Sequence, residues 1–159
     1  LTEKKESVWD YPRPPRLEPS SRHIRIEHAG RTIADSRQTL RILETSHPPV
    51  YYIPTQDISM DLLKSSRVKG SFCEYKGFAK YWSLEIPGAV PAKDAAWSYP
   101  DPTAKYAALK NYLAFYASRV DACFVDEEKV EAQPGDFYGG WITSHVTGPF
   151  KGAKGTLGW

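Results

Sequence analysis

The sequence predicts a mainly β, antiparallel single domain with one or two short helices and extended arms at both ends. Three observations predict it. Apolar and polar residues alternate over short stretches, and Gly and Pro turn signals separate those stretches. Aromatic residues, which favour pleated surfaces, are abundant: ten Tyr, six Phe and five Trp in 159 residues. A chain of this length buries roughly two thirds of its unfolded surface, enough for a core without staples. Strands do not alternate with long helices, so a parallel sheet of βαβ units is not expected.

Residues 1–23 read as an extended arm. Tyr11-Pro12-Arg13-Pro14-Pro15-Arg16 cannot be helical, because Pro removes donors and biases the preceding residue to extended geometry. Trp9 and Tyr11 are its candidate anchors, and a polyproline segment for a partner is the alternative. The domain proper spans residues 24–132. Ile24 and Ile26 alternate with Arg25 and Glu27 as a half-buried strand, Ala29-Gly30 turns, and Thr32-Ile33-Ala34 returns. Arg37 to Glu44 reads as a third strand. Thr45-Ser46-His47-Pro48-Pro49 breaks the ladder, and Val50-Tyr51-Tyr52-Ile53 forms a fourth. Asp57 to Leu63 reads as one short helical turn.

Phe78 to Ile86 alternates, with Phe78, Trp82, Leu84 and Ile86 on one face and Lys80 as the exception. Ala95 to Tyr99 is a further short strand. Asp101-Pro102-Thr103 starts a helix, with Tyr106, Leu109, Leu113 and Tyr116 at helical spacing, although Tyr112 to Tyr116 also fits a strand. Ala122 to Val125 and Val130 to Ala132 form a hairpin around Asp126 to Lys129. Residues 133–159 are rich in Gly and Pro and read as an irregular tail wrapping the surface.

The charge balance is nearly even, with 21 basic against 19 acidic side chains, so no nucleic-acid partner is expected. No apolar run approaches the roughly 18 residues needed to cross a bilayer, so no membrane partner is expected either. The first residues lack an apolar signal region, which favours a cytoplasmic location. Cys73 and Cys123 have no CxxC partners, and a disulfide between them stays open only for an oxidising compartment. No phosphate-binding Gly-rich loop is present: Gly139-Gly140 runs into Trp141.

The segment Cys73-Glu74-Tyr75-Lys76-Gly77-Phe78-Ala79-Lys80-Tyr81-Trp82, followed by Ala95-Ala96-Trp97-Ser98-Tyr99-Pro100 and Leu113-Ala114-Phe115-Tyr116, resembles the family of domains of unknown function numbered 427 (DUF427). Glu44-Thr45-Ser46-His47-Pro48-Pro49-Val50-Tyr51-Tyr52-Ile53-Pro54 fits the same pattern, as does the tail through Tyr138-Gly139-Gly140-Trp141 and Gly148-Pro149-Phe150-Lys151-Gly152. The resemblance implies a β-tent-like fold, with antiparallel sheets leaning together over a pocket. Other β-tent proteins hold zinc through paired CxxC motifs, which this sequence lacks. An older label ties the family to nucleotidyltransferases, whose closely spaced metal-binding carboxylates after a Gly-Ser signal are also missing here.

The most chemically loaded positions are Glu44, His47, Cys73, Glu74 and Lys76, the candidate catalytic residues. A thiol reacts as its thiolate, and Lys76 or His47 would favour that form at Cys73. The plain alternative is that Cys73 fills space while Glu74 and Lys76 pair across strands. His47 titrates near neutral pH and would act as a general base oriented by Glu44, or simply pack beside a rigid Pro-Pro turn. Tyr51, Tyr81, Trp82, Trp97, Tyr99 and Tyr116 are candidate ligand-binding walls, able to hold planar or cationic ligands; the plain alternative is an aromatic core, with most of these rings in the interior and two or three at the pocket. His23, His28 and His145 read as solvated, and Cys123 as inert core. The expected function is a pocket that binds or transforms a small molecule, with no metal and no cofactor, and a homodimer is kept open. The rival is a non-catalytic interaction module using the arm and tail.

Overall fold

The computed structural model describes residues 5–66, 71–73 and 75–159. Two antiparallel sheets carry the fold. The larger has seven strands in the order Arg16–Ser20, Thr39–Leu43, Val50–Pro54, Tyr112–Phe115, Ala92–Ser98, Lys80–Leu84 and Leu63–Ser65. The smaller has four, in the order Glu128–Lys129, Ala122–Val125, Ile24–His28 and Arg31–Ser36. Two of its hairpins turn on two residues with positive φ: Ala29 (49°) with Gly30 (75°), and Asp126 (47°) with Glu127 (71°). That backbone twist matches the twist of the strands it joins. No helix among the described residues is long and apolar enough to cross a membrane.

Side chains alternate across a strand, so the central strands of the larger sheet feed two interiors. On one face Tyr51, Ile53, Ala96, Leu113 and Phe115 pack against Ile24, Ile26, Ile33, Cys123 and Val125 of the smaller sheet. On the other face Ile42, Tyr52, Trp97, Ala114 and Tyr116 pack with Tyr106 and Leu109. The near-continuous apolar runs at Val50-Tyr51-Tyr52-Ile53 and Leu113-Ala114-Phe115-Tyr116 follow from this two-sided burial.

Several sequence expectations are corrected. The helix after Pro102 is only a six-residue 3₁₀ segment, Ala104–Leu109, irregular at Tyr106. Asn111 then adopts a left-handed φ of 67°, which ends the turn, and Tyr112–Phe115 is a strand. Leu113 and Tyr116 therefore serve opposite faces of a sheet, not one helical stripe. The third strand begins at Thr39, not Arg37, because the Ser36 hydroxyl accepts the Gln38 N–H at 3.0 Å and turns the chain there. Phe78 does not share a face with Trp82. It pairs in a small separate hairpin, Phe72–Cys73 with Gly77–Phe78, and is exposed. Lys80 lays its ammonium 4.6 Å from the Trp82 ring centroid, which accommodates a cation in an otherwise apolar run. His23 and His28 are half-buried and bonded, His23 to Asp35 at 2.7 Å and His28 to the Asp121 N–H at 3.0 Å. Both cysteines are free.

The arm and tail are built into the fold. Val8 and Tyr11 are buried with Leu43 and Val146, and Glu6–Ser7 pairs in parallel with Val146–Thr147. Arg41 clamps the arm by donating to Glu18 at 2.7 Å and to both carboxylate oxygens of Glu6 at 3.0 Å. Trp9 is exposed, not an interior anchor, and its indole N–H donates to the Pro149 carbonyl at 2.8 Å. The tail does more than wrap the surface. Trp141 is 1% exposed and donates its indole N–H to the Phe115 carbonyl at 3.0 Å, while its backbone N–H donates to the Pro49 carbonyl at 2.9 Å.

Trp141→Ala is expected to destabilise the fold by about 3–5 kcal/mol, because it opens a large cavity between the sheets and orphans the Phe115 carbonyl. Equilibrium urea denaturation measures this. A loss below about 1 kcal/mol would mean that the tail is not part of the core.

Candidate functional site

The second apolar face of the seven-stranded sheet is only partly covered. It floors a cavity of about 260 Å³ with Tyr52, Trp97, Tyr99 and Tyr116. Trp97 lies 4.5 Å from Tyr116 between ring centroids and meets Tyr52 edge-on at 6.2 Å. Three segments form the walls: the turn from Glu44 to Pro48, the hairpin carrying Ser71, Cys73, Tyr75 and Lys76, and the tail through Gln133, Tyr138, Gly139 and Lys151. Burial pushes the hydroxyl pKa values of Tyr52, Tyr99 and Tyr116 above the usual phenol value, so all three are neutral at physiological pH.

The turn is rigid because it is tied on both sides. The His47 N–H donates to the Glu44 carbonyl at 3.0 Å, the Ser46 N–H donates to the Val8 carbonyl at 3.0 Å, and the Lys151 N–H donates to the Ser46 carbonyl at 2.8 Å. Its side chains are fixed through Gln133. The Gly140 N–H donates to Gln133 Oε1 at 3.0 Å, so that atom is the amide oxygen. The amide nitrogen then donates to the Lys151 carbonyl at 2.8 Å and to His47 Nδ1 at 2.9 Å. Nδ1 is therefore an acceptor, and in the neutral ring the proton sits on Nε2, 3.7 Å from Glu44 Oε2. Burial, reinforced by the positive charges of Lys151, Lys76 and Arg13, lowers the His47 pKa to about 4. At neutral pH His47 presents an N–H toward the carboxylate, and its lone pair is already engaged. This suits donation better than the base role expected from the sequence.

Gly139 and Gly140 explain how the tail comes so close. A Cβ at Gly139 would overlap the Trp97 ring, and one at Gly140 would lie 2.5 Å from the Pro48 carbonyl oxygen and 2.7 Å from Gln133 Oε1.

Lys76 sits at the tip of the Phe72–Cys73 and Gly77–Phe78 hairpin. Its carbonyl accepts the Thr103 N–H at 3.2 Å, and the Tyr75 carbonyl accepts the Thr103 hydroxyl, which pins the tip to the start of the 3₁₀ turn. Lys76 is buried and lines the cavity, with its ammonium 5.8 Å from the Tyr99 ring centroid. Burial alone would push the ammonium toward neutrality. Electrostatic attraction from the neighbouring acidic side chains outweighs this, and the net shift is upward.

Of the sequence candidates, Glu44, His47, Cys73, Lys76, Tyr81, Trp97, Tyr99 and Tyr116 all border this cavity. Cys73 and Lys76 face it together because the chain turns at Tyr75-Lys76, where continued extension would have separated them. Tyr51 and Trp82 do not line it. Each is the strand neighbour of a lining residue, Tyr52 or Tyr81, and so points to the other face, where Tyr51 lies 5.5 Å from Trp141 and Trp82 donates to Ser98 Oγ at 3.0 Å. Glu74 lies outside the described residues. Tyr52, Gln133, Tyr138 and Lys151 were not anticipated. Tyr52 was missed by one step of strand parity, and Tyr138 and Lys151 lay in the tail motifs, whereas nothing marks Gln133. Among the described residues, no three His, Cys, Asp or Glu side chains gather as a metal-ligand set.

Compared with known protein families, residues 16–126 match the family described as "Domain of unknown function (DUF427)". No curated protein matches the chain.

Two measurements test this geometry. Burial pushes the Cys123 thiol up to about 12, whereas Cys73 is only half-buried at the cavity wall. A thiol reagent at neutral pH is expected to label one cysteine in the native protein, with Cys73→Ala abolishing that signal and Cys123 reacting only in denaturant. For His47, a folded pKa near 4 against 6.5 unfolded means the folded chain binds fewer protons between those values. Its contribution to stability is full above pH ~6.5 and falls by up to about 3 kcal/mol as pH drops toward 4. His47→Gln should flatten the difference in urea stability between pH 7.5 and about 4.5 relative to the parent; an unchanged slope would refute the buried neutral imidazole.

Proposed function

The chain belongs to the DUF427 family, and on that footing we propose that it uses the cavity on the outer face of its seven-stranded sheet to bind or transform a small molecule without a metal ion. One observation carries this reading. A hollow of about 260 Å³ has an aromatic floor and a rim of convergent polar groups, and the sheet face beneath it is left partly uncovered. That volume is close to the lower end of ordinary ligand pockets, roughly 300–1,000 Å³. It suits a compound of one or two rings lying against Trp97 and Tyr116. Glu44 supplies acceptor oxygens, His47 an N–H donor, Lys76 a cation and Cys73 a thiol, so any transformation would be acid–base or thiol chemistry.

The interaction-module reading draws less support. Its proposed contact surfaces, the arm and tail, are spent on each other: Trp9 bonds Pro149 and meets the Trp159 ring at 5.3 Å, and Arg13 donates to the Trp159 carbonyl.

Native mass spectrometry of the gently purified protein is expected to reveal a bound small molecule. Val50 is half-exposed at the cavity wall, so Val50→Phe should fill the hollow and weaken binding at least tenfold with little change in melting temperature. If no adduct is present and no compound in a fragment screen perturbs the Trp97 indole signal, the reading fails.

A further inference from the structure

Building on that pocket reading, we propose that the ligand is a small organic anion, a planar system of one or two rings whose carboxylate or equivalent monoanionic group pairs with Lys76. Lys76 is 9% exposed and borders the cavity, yet no carboxylate, carbonyl or hydroxyl among the described residues is within bonding distance of its ammonium. The ammonium lies over the Tyr99 ring, 5.8 Å from its centroid. A buried ammonium whose N–H donors have no bonding partner among the described residues is left unsatisfied, and a ligand anion would satisfy it at the point where it binds.

The charge around the cavity agrees. Among the described residues, Lys76 and Lys151 border it against one carboxylate, Glu44. Glu44 is already engaged, 4.0 Å from Arg13 Nε and 3.7 Å from His47 Nε2. The Tyr52 and Tyr99 hydroxyls border the cavity and keep their protons, so they can donate to an anion.

A cationic ligand, the usual guest of an aromatic cage, is disfavoured by the same geometry. The protein's own ammonium groups already occupy the ring faces, with Lys76 over Tyr99 and Lys151 5.6 Å from the Tyr138 centroid. A guest cation would face both. Trp97 and Tyr116 carry no such cation on the cavity side and are left to stack on a planar ring; the Tyr116 ring holds Arg119 at 4.0 Å, and that guanidinium does not line the cavity. The volume of about 260 Å³ matches a compound of one or two rings.

Three probes of one shape and different charge test this: naphthoate, naphthamide and naphthylmethylammonium. Binding is followed by NMR titration of the full chain at the Trp97 indole N–H. Naphthoate is expected to bind at least tenfold more tightly than naphthamide, and the ammonium compound not to bind at millimolar concentration. Lys76→Met should bring naphthoate down to the affinity of the amide while the amide itself is unaffected, and Lys151→Gln should cause a smaller loss. If Lys76→Met fails to fold, the three-probe comparison on the parent protein still decides. Equal affinity of amide and carboxylate, or tighter binding of the ammonium compound, overturns the anion inference and leaves the pocket standing. If no probe of any charge binds and the purified protein carries no small molecule, the inference and the pocket reading both fall.

Discussion

The seven-stranded sheet has to satisfy two interiors at once, and the rest of the structure depends on that constraint. Its central strands put every second residue against the smaller sheet and every other residue toward the cavity. A sheet with two apolar faces needs two covers. The four-stranded sheet, helped by Trp141, supplies one in full. The other is assembled from the 3₁₀ segment, a turn, a hairpin and the tail, which together leave part of it open. The hollow is what remains when irregular segments cover a flat aromatic face.

The tail links the two faces. Trp141 enters the core between the sheets, and its immediate neighbours Gly139 and Gly140 run against Trp97 and Gln133 on the cavity side. Gln133 in turn fixes the His47 ring and the Lys151 backbone. Core packing and the polar rim are thus one mechanical unit, in which a change at Gly140 reaches His47 through a single amide. Polar groups held by such a chain of fixed partners lose little freedom when a ligand arrives, which favours tight and selective binding over adaptable contact.

The electrostatics follow from the same covers. Burial keeps His47 neutral and the phenols protonated, leaving Lys76 and Lys151 against Glu44 as the charged rim groups among the described residues. The base chemistry that the Glu44-His47 spacing suggested gives way to donation, because Gln133 occupies the nitrogen that a base would need free.

Local pattern was enough to read the β class, the Ala29-Gly30 turn and the break at Pro48-Pro49, because these depend on alternation, positive φ and proline geometry within a few residues. The hairpin after Val125 returns through Glu128–Lys129, not Val130 to Ala132, of which Glu131–Ala132 pairs with Trp141–Ile142 instead. Cys73, Lys76, Glu44 and His47 stand out in the sequence as reactive side chains beside turns, and all four border the cavity. Tertiary structure alone decided the rest. Whether Tyr51 or Tyr52 faces the hollow depends on which side of the sheet the smaller sheet covers, and a period of two cannot choose between faces when both are apolar. Tyr112 to Tyr116 satisfies a helical and a strand spacing equally, and pairing with Val50–Pro54 and Ala92–Ser98 settles it. Gln133 acquires its role only when the tail folds back across the turn, a contact 86 residues apart in sequence that no local pattern encodes.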